Sequence, residues 1–160
     1  MKYDPLLHVV LHQPEIPPNT GNIGRSCVAI GAKLWLVKPL GFRIDEKELR
    51  RAGLDYWPFL EWEAVEDWEE LTGKLGALEQ GRGWFFTKTA KRSYADGGYQ
   101  RGDVLVFGSE ANGLPAPLLE RYAEQALRIP MRPEVRCLNL SATAAVAMYE
   151  AVRQIRPAIE

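Results

Sequence analysis

Short apolar runs alternate with helix-forming stretches along almost the whole chain, and this alternation narrows the folds open to it. Leu6–Leu11, Lys33–Val37, Phe59–Ala64, Trp84–Lys88, Asp103–Gly108 and Ala126–Met131 each read as a strand. Helices are expected from near Gly21 to about Ala32, over Asp45–Ala52 with Asp45 as N-cap, over Asp67–Gln80, over Pro115–Ala123 and over Asn139–Gln154. The third of these carries apolar residues at Trp68, Leu71, Leu75 and Leu78, a helical spacing. Strands that alternate with helices predict an α/β domain with a mostly parallel sheet flanked by helices. With 160 residues and no repeat or linker, one domain spanning residues 1–160 is expected.

The last connection is unusual. From Arg128 it turns polar and proline-rich, carries Arg132, Glu134, Arg136, Cys137, Asn139 and Ser141, and launches a helix of small residues. Loops at strand ends are where binding groups sit, so this segment is read as closing over a ligand. Small side chains in residues 142–147 permit close packing, either within the chain or across a dimer interface.

Two other segments share this character. Pro17-Pro18-Asn19-Thr20-Gly21-Asn22-Ile23-Gly24-Arg25 follows a strand and opens a helix. It is read either as a capped helix start with Asn19 or Thr20 as N-cap, or as a turn able to hold phosphate. It matches neither a Walker loop nor GxGxxG. On this reading Arg25 sits near the first turn, where a cation opposes the helix dipole, which favours a role toward a substrate or a carboxylate. In Val106–Pro115 a buried strand stops at Gly108, carries Glu110 in its loop, and resumes as a helix. Glu110 is read either as a cap for that helix or as a site residue.

Composition excludes several classes. The net charge of −1 argues against a generally basic nucleic-acid coat, so any RNA contact must come from local patches. Cys27 and Cys137 are too few for a disulfide scaffold, and no Cys/His spacing suggests zinc. No metal site is expected, and His8 and His12 are read as structural. No apolar run approaches a membrane span and no signal peptide is visible, so the cytoplasm is expected. The acidic run from Glu61 to Glu70 reads as a solvated face.

Taken in order, Asn19 to Arg25, Phe107–Pro115 and Ile129–Ser141 resemble the three motifs of the SPOUT superfamily of RNA methyltransferases, in its TrmH/SpoU group. Residues Pro14–Ile23, Leu49–Tyr56 and Tyr149–Ala151 are similar to the group's compact enzymes that methylate the tRNA wobble nucleotide. The resemblance covers nearly the whole chain. It implies a deep C-terminal trefoil knot, a homodimer whose active site is completed by the partner subunit, and S-adenosylmethionine as methyl donor, with S-adenosylhomocysteine as product. The implied reaction is methylation of the ribose 2′-hydroxyl of the wobble nucleotide in the tRNA anticodon stem-loop. Ribosomal RNA as substrate and a non-catalytic RNA-binding module are the alternatives.

By the same resemblance, Arg25, Asn19, Glu110 and Asn139 form the catalytic set. Arg25 helps remove the hydroxyl proton, by way of an RNA phosphate or by polarising the hydroxyl, and Glu110 and Asn19 orient Arg25 or the ribose. Asn139 holds the third loop. Phe86, Gly108, Ile129, Cys137 and Leu138 match the cofactor positions. Cys137 departs from the usual serine, and a thiol is the weaker hydrogen-bond donor. Phe86 replaces a residue that is often aliphatic. Lys47, Arg50, Arg51, Lys88, Lys91, Arg92 and Arg101 are the candidate RNA cations, and Tyr56, Tyr94 and Tyr99 the candidate stacking residues.

Overall fold

The computed structural model describes residues 4–43 and 55–159. Six strands form one sheet: β1 (His8–His12), β2 (Lys33–Val37), β3 (Trp62–Val65), β4 (Gly83–Phe86), β5 (Val104–Phe107) and β6 (Ala126–Leu127). Their order is β3-β2-β1-β5-β4-β6, and every pairing is parallel. Among the described residues the α-helices are α1 (Pro17–Ile30), α2 (Trp68–Lys74), α3 (Ala116–Arg121) and α4 (Leu140–Ile155). The expected helix at Asp45–Ala52, and with it Lys47, Arg50 and Arg51, lies outside the described residues.

The sheet is covered on both faces, which is why its strands read as unbroken apolar runs rather than as polar–apolar alternation. Val9, Leu11, Leu34, Leu36, Leu105 and Phe107 point into one core, with Ile23 and Cys27 of α1 and Ala144, Ala147, Met148 and Ala151 of α4. Their strand neighbours Val10, Trp35, Val37, Val104 and Val106 point into the other, with Trp68 and Leu71 of α2 and Leu118 of α3. Ala144, Ala147 and Ala151 of α4 are therefore buried inside the chain, in the layer that α4 shares with α1, whereas Ala142 is exposed. Val146 and Tyr149 on its opposite side are 41% and 51% exposed.

Several expected boundaries move, each for a local reason. α1 begins at Pro17 instead of near Gly21, because prolines suit the first helical turn, where their missing N–H costs nothing. Gly21 and Gly24 therefore lie inside a helix, and the phosphate-binding turn does not exist. Gly24 serves packing, since a Cβ there would come within 3.0 Å of Leu60. Arg25 lies eight residues beyond the helix start, clear of the first turn. α2 stops at Lys74, and a separate 3-10 turn spans Gly76–Leu78, as the weak helix formers Gly73 and Gly76 lead one to expect. β3 starts at Trp62 because Trp57–Phe59 forms a 3-10 turn. β6 is only two residues long.

The acidic run is paired rather than merely solvated. Lys33 bridges Glu61 and Glu63, Lys74 meets Glu63, Lys38 meets Glu66, and Arg121 reaches Glu69 and Glu79. The histidines are structural: His8 Nδ1 accepts a hydrogen bond from Trp35 Nε1 at 3.0 Å, and His12 packs edge-on against Trp68.

Candidate active site

From β1 the chain winds one way, through β2 to β3, while β5, β4 and β6 lie on the other side of β1. Ligands in parallel α/β sheets bind beyond the carboxyl ends of the strands where the winding direction switches. Here that place lies between β1 and β5. A cavity of about 640 Å³ opens there, lined by residues that follow β1, β4 and β5 and by the segment leading into α4.

Glu110 stands at the centre of one wall. Its carboxylate accepts the backbone N–H groups of Glu15 at 2.9 Å and Ile16 at 2.6 Å, and the side-chain amide of Asn19 at 3.3 Å. It does not cap the helix that follows it; it holds the start of α1, whose N-cap Ile16 has no side chain able to do so. Asn19 Oδ1 in turn accepts from Asn139 Nδ2 at 3.1 Å. Asn139 Oδ1 accepts from the backbone N–H groups of Ser141 and Ala142, capping α4.

The orientation of both amides in this relay is fixed from its ends. A carboxylate in its ionised form only accepts, and backbone N–H groups only donate. Asn19 must therefore turn its NH₂ toward Glu110, and Asn139 must turn its oxygen toward α4. Three segments far apart in sequence are tied through one line of polar groups.

The loop after β5 is shaped by two glycines. A Cβ on Gly108 would lie 2.1 Å from the carbonyl carbon of Gly113, so no side chain fits there. Gly113 adopts φ +65°, a left-handed conformation that glycine takes without strain, and its N–H donates to Ser109 O at 2.9 Å. The opposite wall is apolar: the Phe86 and Phe107 rings stack with centroids 4.8 Å apart.

Eight of the nine residues expected at the site line this cavity: Asn19, Glu110 and Asn139, together with Phe86, Gly108, Ile129, Cys137 and Leu138. Arg25 does not. It lies six residues beyond Asn19, about 240° further round the helix, on the exposed face of α1, with its guanidinium carbon 5.2 Å from the centre of the Tyr56 ring. Cys137 is exposed, whereas Cys27 is fully buried, and burial pushes its thiol well above the usual range.

Other expectations are corrected here. Arg92 donates to the carbonyls of Glu124 at 3.1 Å and Asp96 at 2.9 Å and lies over the Trp84 ring, so its guanidinium is engaged by the fold. Tyr56 and Tyr99 are buried, with hydroxyls donating to the carbonyls of Gly21 and Tyr94; neither offers a ring face for base stacking. Thr87, Thr89 and Thr143 line the cavity and were not foreseen, because a threonine at a strand end carries no distinctive spacing. Among the described residues no group of three or more His, Cys, Asp or Glu is placed to hold a metal ion. No described helix is long and apolar enough to cross a membrane.

Known proteins share this fold. Residues 6–149 match the model of the SpoU rRNA Methylase family, and the chain belongs to that family. Within it, the tRNA (cytidine(34)-2'-O)-methyltransferase of Burkholderia ambifaria is 47% identical over 150 residues, covering 93% of this chain and 96% of that protein. The enzyme of the same name from Methylovorus glucosotrophus is 46% identical over 150 residues, with the same coverage of each. A solved structure described as giving insights into the 2-OH methylation of C/U34 on tRNA superposes with a TM-score of 0.85 at 42% identity, over 92% of this chain and 95% of that one. The SpoU methyltransferase AviRb from Streptomyces viridochromogenes, solved with AdoMet, shares the fold at a TM-score of 0.80 and 24% identity, over 96% of this chain and 59% of that one.

Proposed function

We propose that this protein transfers a methyl group from S-adenosylmethionine to the ribose 2′-hydroxyl of the wobble nucleotide, position 34, of tRNA. The observation that carries this reading is the likeness, at 47% identity over 93% of the chain, to a tRNA (cytidine(34)-2'-O)-methyltransferase.

The cavity suits the cofactor. Its stacked Phe86–Phe107 wall offers an apolar face, and the close packing of Gly113 and Leu114 backbone against Gly108 fixes the loop that borders it. Ile129, Cys137 and Leu138 would complete its enclosure. When bound, S-adenosylmethionine supplies an electrophilic methyl on a sulfonium and leaves as S-adenosylhomocysteine. The residues of the chain then have two tasks: to place the ribose in line with that methyl and to assist loss of the hydroxyl proton.

We assign the second task to Arg25. A guanidinium that stays protonated in water is a poor base, so we read it as polarising the hydroxyl or an adjacent RNA phosphate that accepts the proton. Asn19, Glu110 and Asn139 position the loops around the reacting groups. Because Arg25 lies off the cavity of its own chain, its role supports a homodimer in which a second copy completes each site. Exposed Val146 and Tyr149 on α4, with Ile16 and Leu138 near the cavity, give such a pairing an apolar surface. We further propose that the chain after β5 forms a trefoil knot. Residues 87–97 are bonded both to 127–128, through Thr87, Arg92 and Tyr94, and to Gln154 of α4, which reaches Ala95 O. A tRNA substrate supports a cytoplasmic location for the reaction.

Incubation of tRNA with methyl-labelled S-adenosylmethionine, followed by nuclease mapping and mass spectrometry, tests the activity. The label is expected on the 2′-oxygen of nucleotide 34. Label confined to ribosomal RNA or to another tRNA position would redirect the substrate, and no transfer would overturn the enzymatic reading.

A further inference from the structure

We infer that Lys88 anchors the carboxylate of the cofactor's amino-acid tail; the inference rests on the reading of the cavity as the cofactor site. Lys88 lines that cavity just beyond the end of β4. Its neighbours hold it in a fixed turn. Thr87 N–H donates to Leu127 O at 3.0 Å, Ala90 N–H to Thr87 O at 3.3 Å, and the hydroxyls of Thr87 and Thr89 lie 3.0 Å apart. Lys33, Lys38 and Lys74 all form ion pairs with glutamates. Lys88 has no such carboxylate partner among the described residues.

The other charged groups lining the cavity are Glu110 and Arg136. Glu110 is spoken for by three N–H donors, so it neither competes for Lys88 nor requires a cation. The cavity thus presents uncompensated positive charge toward a ligand that carries a sulfonium, an ammonium and a single carboxylate. Only the carboxylate is attracted to Lys88. An ammonium–carboxylate hydrogen bond is of the stronger, charge-assisted kind, and it would orient the tail while the apolar wall takes the remainder of the molecule. Arg136 lies on the exposed third loop, and among the described residues no hydrogen bond fixes it.

Calorimetric titration of the intact protein, without RNA, tests this with two ligands that differ only in the tail. S-adenosylhomocysteine has the carboxylate and 5′-methylthioadenosine lacks it. Lys88→Met is expected to weaken S-adenosylhomocysteine roughly five- to tenfold and to leave 5′-methylthioadenosine within about twofold, while Lys88→Arg restores most of the loss. Because Lys88 is exposed, the substitution leaves the core intact, and an unchanged melting temperature verifies this. Equal losses for both ligands, or no loss for either, overturn the assignment. So does a loss that follows Arg136→Met instead. If Lys88→Met binds both ligands normally but weakens tRNA and flattens its salt dependence, the lysine serves an RNA phosphate and the inference fails while the cofactor site stands. Failure of the wild-type protein to bind either ligand overturns the cofactor site itself.

Discussion

Two buried or half-buried carboxylates organise opposite ends of the sheet, and they do so for different ends. Asp103, 1% exposed, sits at the start of β5 and accepts from Arg82 Nε at 2.8 Å, Trp84 Nε1 at 2.8 Å and Gln100 N–H at 2.9 Å. A second nitrogen of Arg82, Nη2, also donates to Asp103, which makes four donors; Glu110, beyond the end of the same strand, accepts three N–H groups. Both are saturated with donors, so saturation does not separate them. Position does: Asp103 closes the strand starts against solvent, whereas Glu110 forms the wall of a cavity at the winding switch. A saturated carboxylate is thus a site residue only when the elements it holds enclose space for a ligand.

The sharpest way to break this contrast is to remove Asp103. Asp103→Ala leaves the Trp84 and Gln100 N–H groups without their acceptor and the Arg82 guanidinium without its ion-pair partner, with only Gly98 O still accepting from it, and loss of one partner of a buried ion pair costs about 3–5 kcal/mol. Urea denaturation is expected to show this as a lower midpoint with an unchanged slope. Cofactor affinity per folded molecule should stay as in the parent. A selective loss of cofactor binding without loss of stability would erase the distinction between the two ends.

Arg25→Ala is the converse case. Its side chain is exposed, so stability is expected to change by no more than about 1 kcal/mol and cofactor binding to persist. Methyl transfer to tRNA should fall roughly 10²–10⁴-fold, the range typical of assisted proton removal. Near-normal turnover would take Arg25 out of the reaction. Between these two falls Glu110→Gln, which presents an NH₂ group to donors that already point inward. A loss of about 1–3 kcal/mol is expected in stability, and S-adenosylhomocysteine affinity should fall with it, since the relay to Asn139 frames the cavity. A stability loss with intact affinity would make Glu110 another Asp103.

How much of this was legible in the sequence differs between fold and site. The sheet was readable because runs such as Val9-Val10-Leu11 and Val104-Leu105-Val106 bury both faces, and Asn139 was readable as a cap because its partners are two and three residues away. The role of Glu110 was not, since its partners lie 91, 94 and 95 residues away, and no local signal states which N–H groups a loop carboxylate will meet. The start of α1 was misjudged because Pro17-Pro18 serves a loop and a first helical turn equally well. Arg92, Tyr56 and Tyr99 looked available because composition shows an amphipathic side chain but not the carbonyl that engages its polar end.

The strand starts carry a smaller, pH-dependent effect. Burial, reinforced by the Lys33 charge and opposed by Asp4, lowers His8 from 6.5 to about 4. Between those values the unfolded chain binds a proton that the folded protein does not, so stability rises with pH across this window. It is fully present above pH about 6.5 and is lost progressively as pH falls toward about 4. With allowance for solvent screening of a half-buried ring, roughly 1–2 kcal/mol is at stake. His8→Gln should flatten the dependence of the urea midpoint between pH 4 and 6.5; an unaltered slope would mean that another group carries it.

Cys137→Ser should have the smallest effect, and it probes the cavity end alone. The Cys137 side chain is exposed and makes no hydrogen bond among the described residues, although the residue lines the cavity. A position that works through its backbone is indifferent to the exchange of sulfur for oxygen. Affinity for S-adenosylhomocysteine is therefore expected to change by less than about threefold, and the melting temperature to stay put, as for other surface substitutions within ±0.5 kcal/mol. A gain of tenfold or more on calorimetric titration would mean that a hydroxyl here donates a hydrogen bond the thiol makes poorly. The third loop would then recognise the cofactor with a side chain as well as enclose it, and the contrast with the purely structural network around Asp103 would widen.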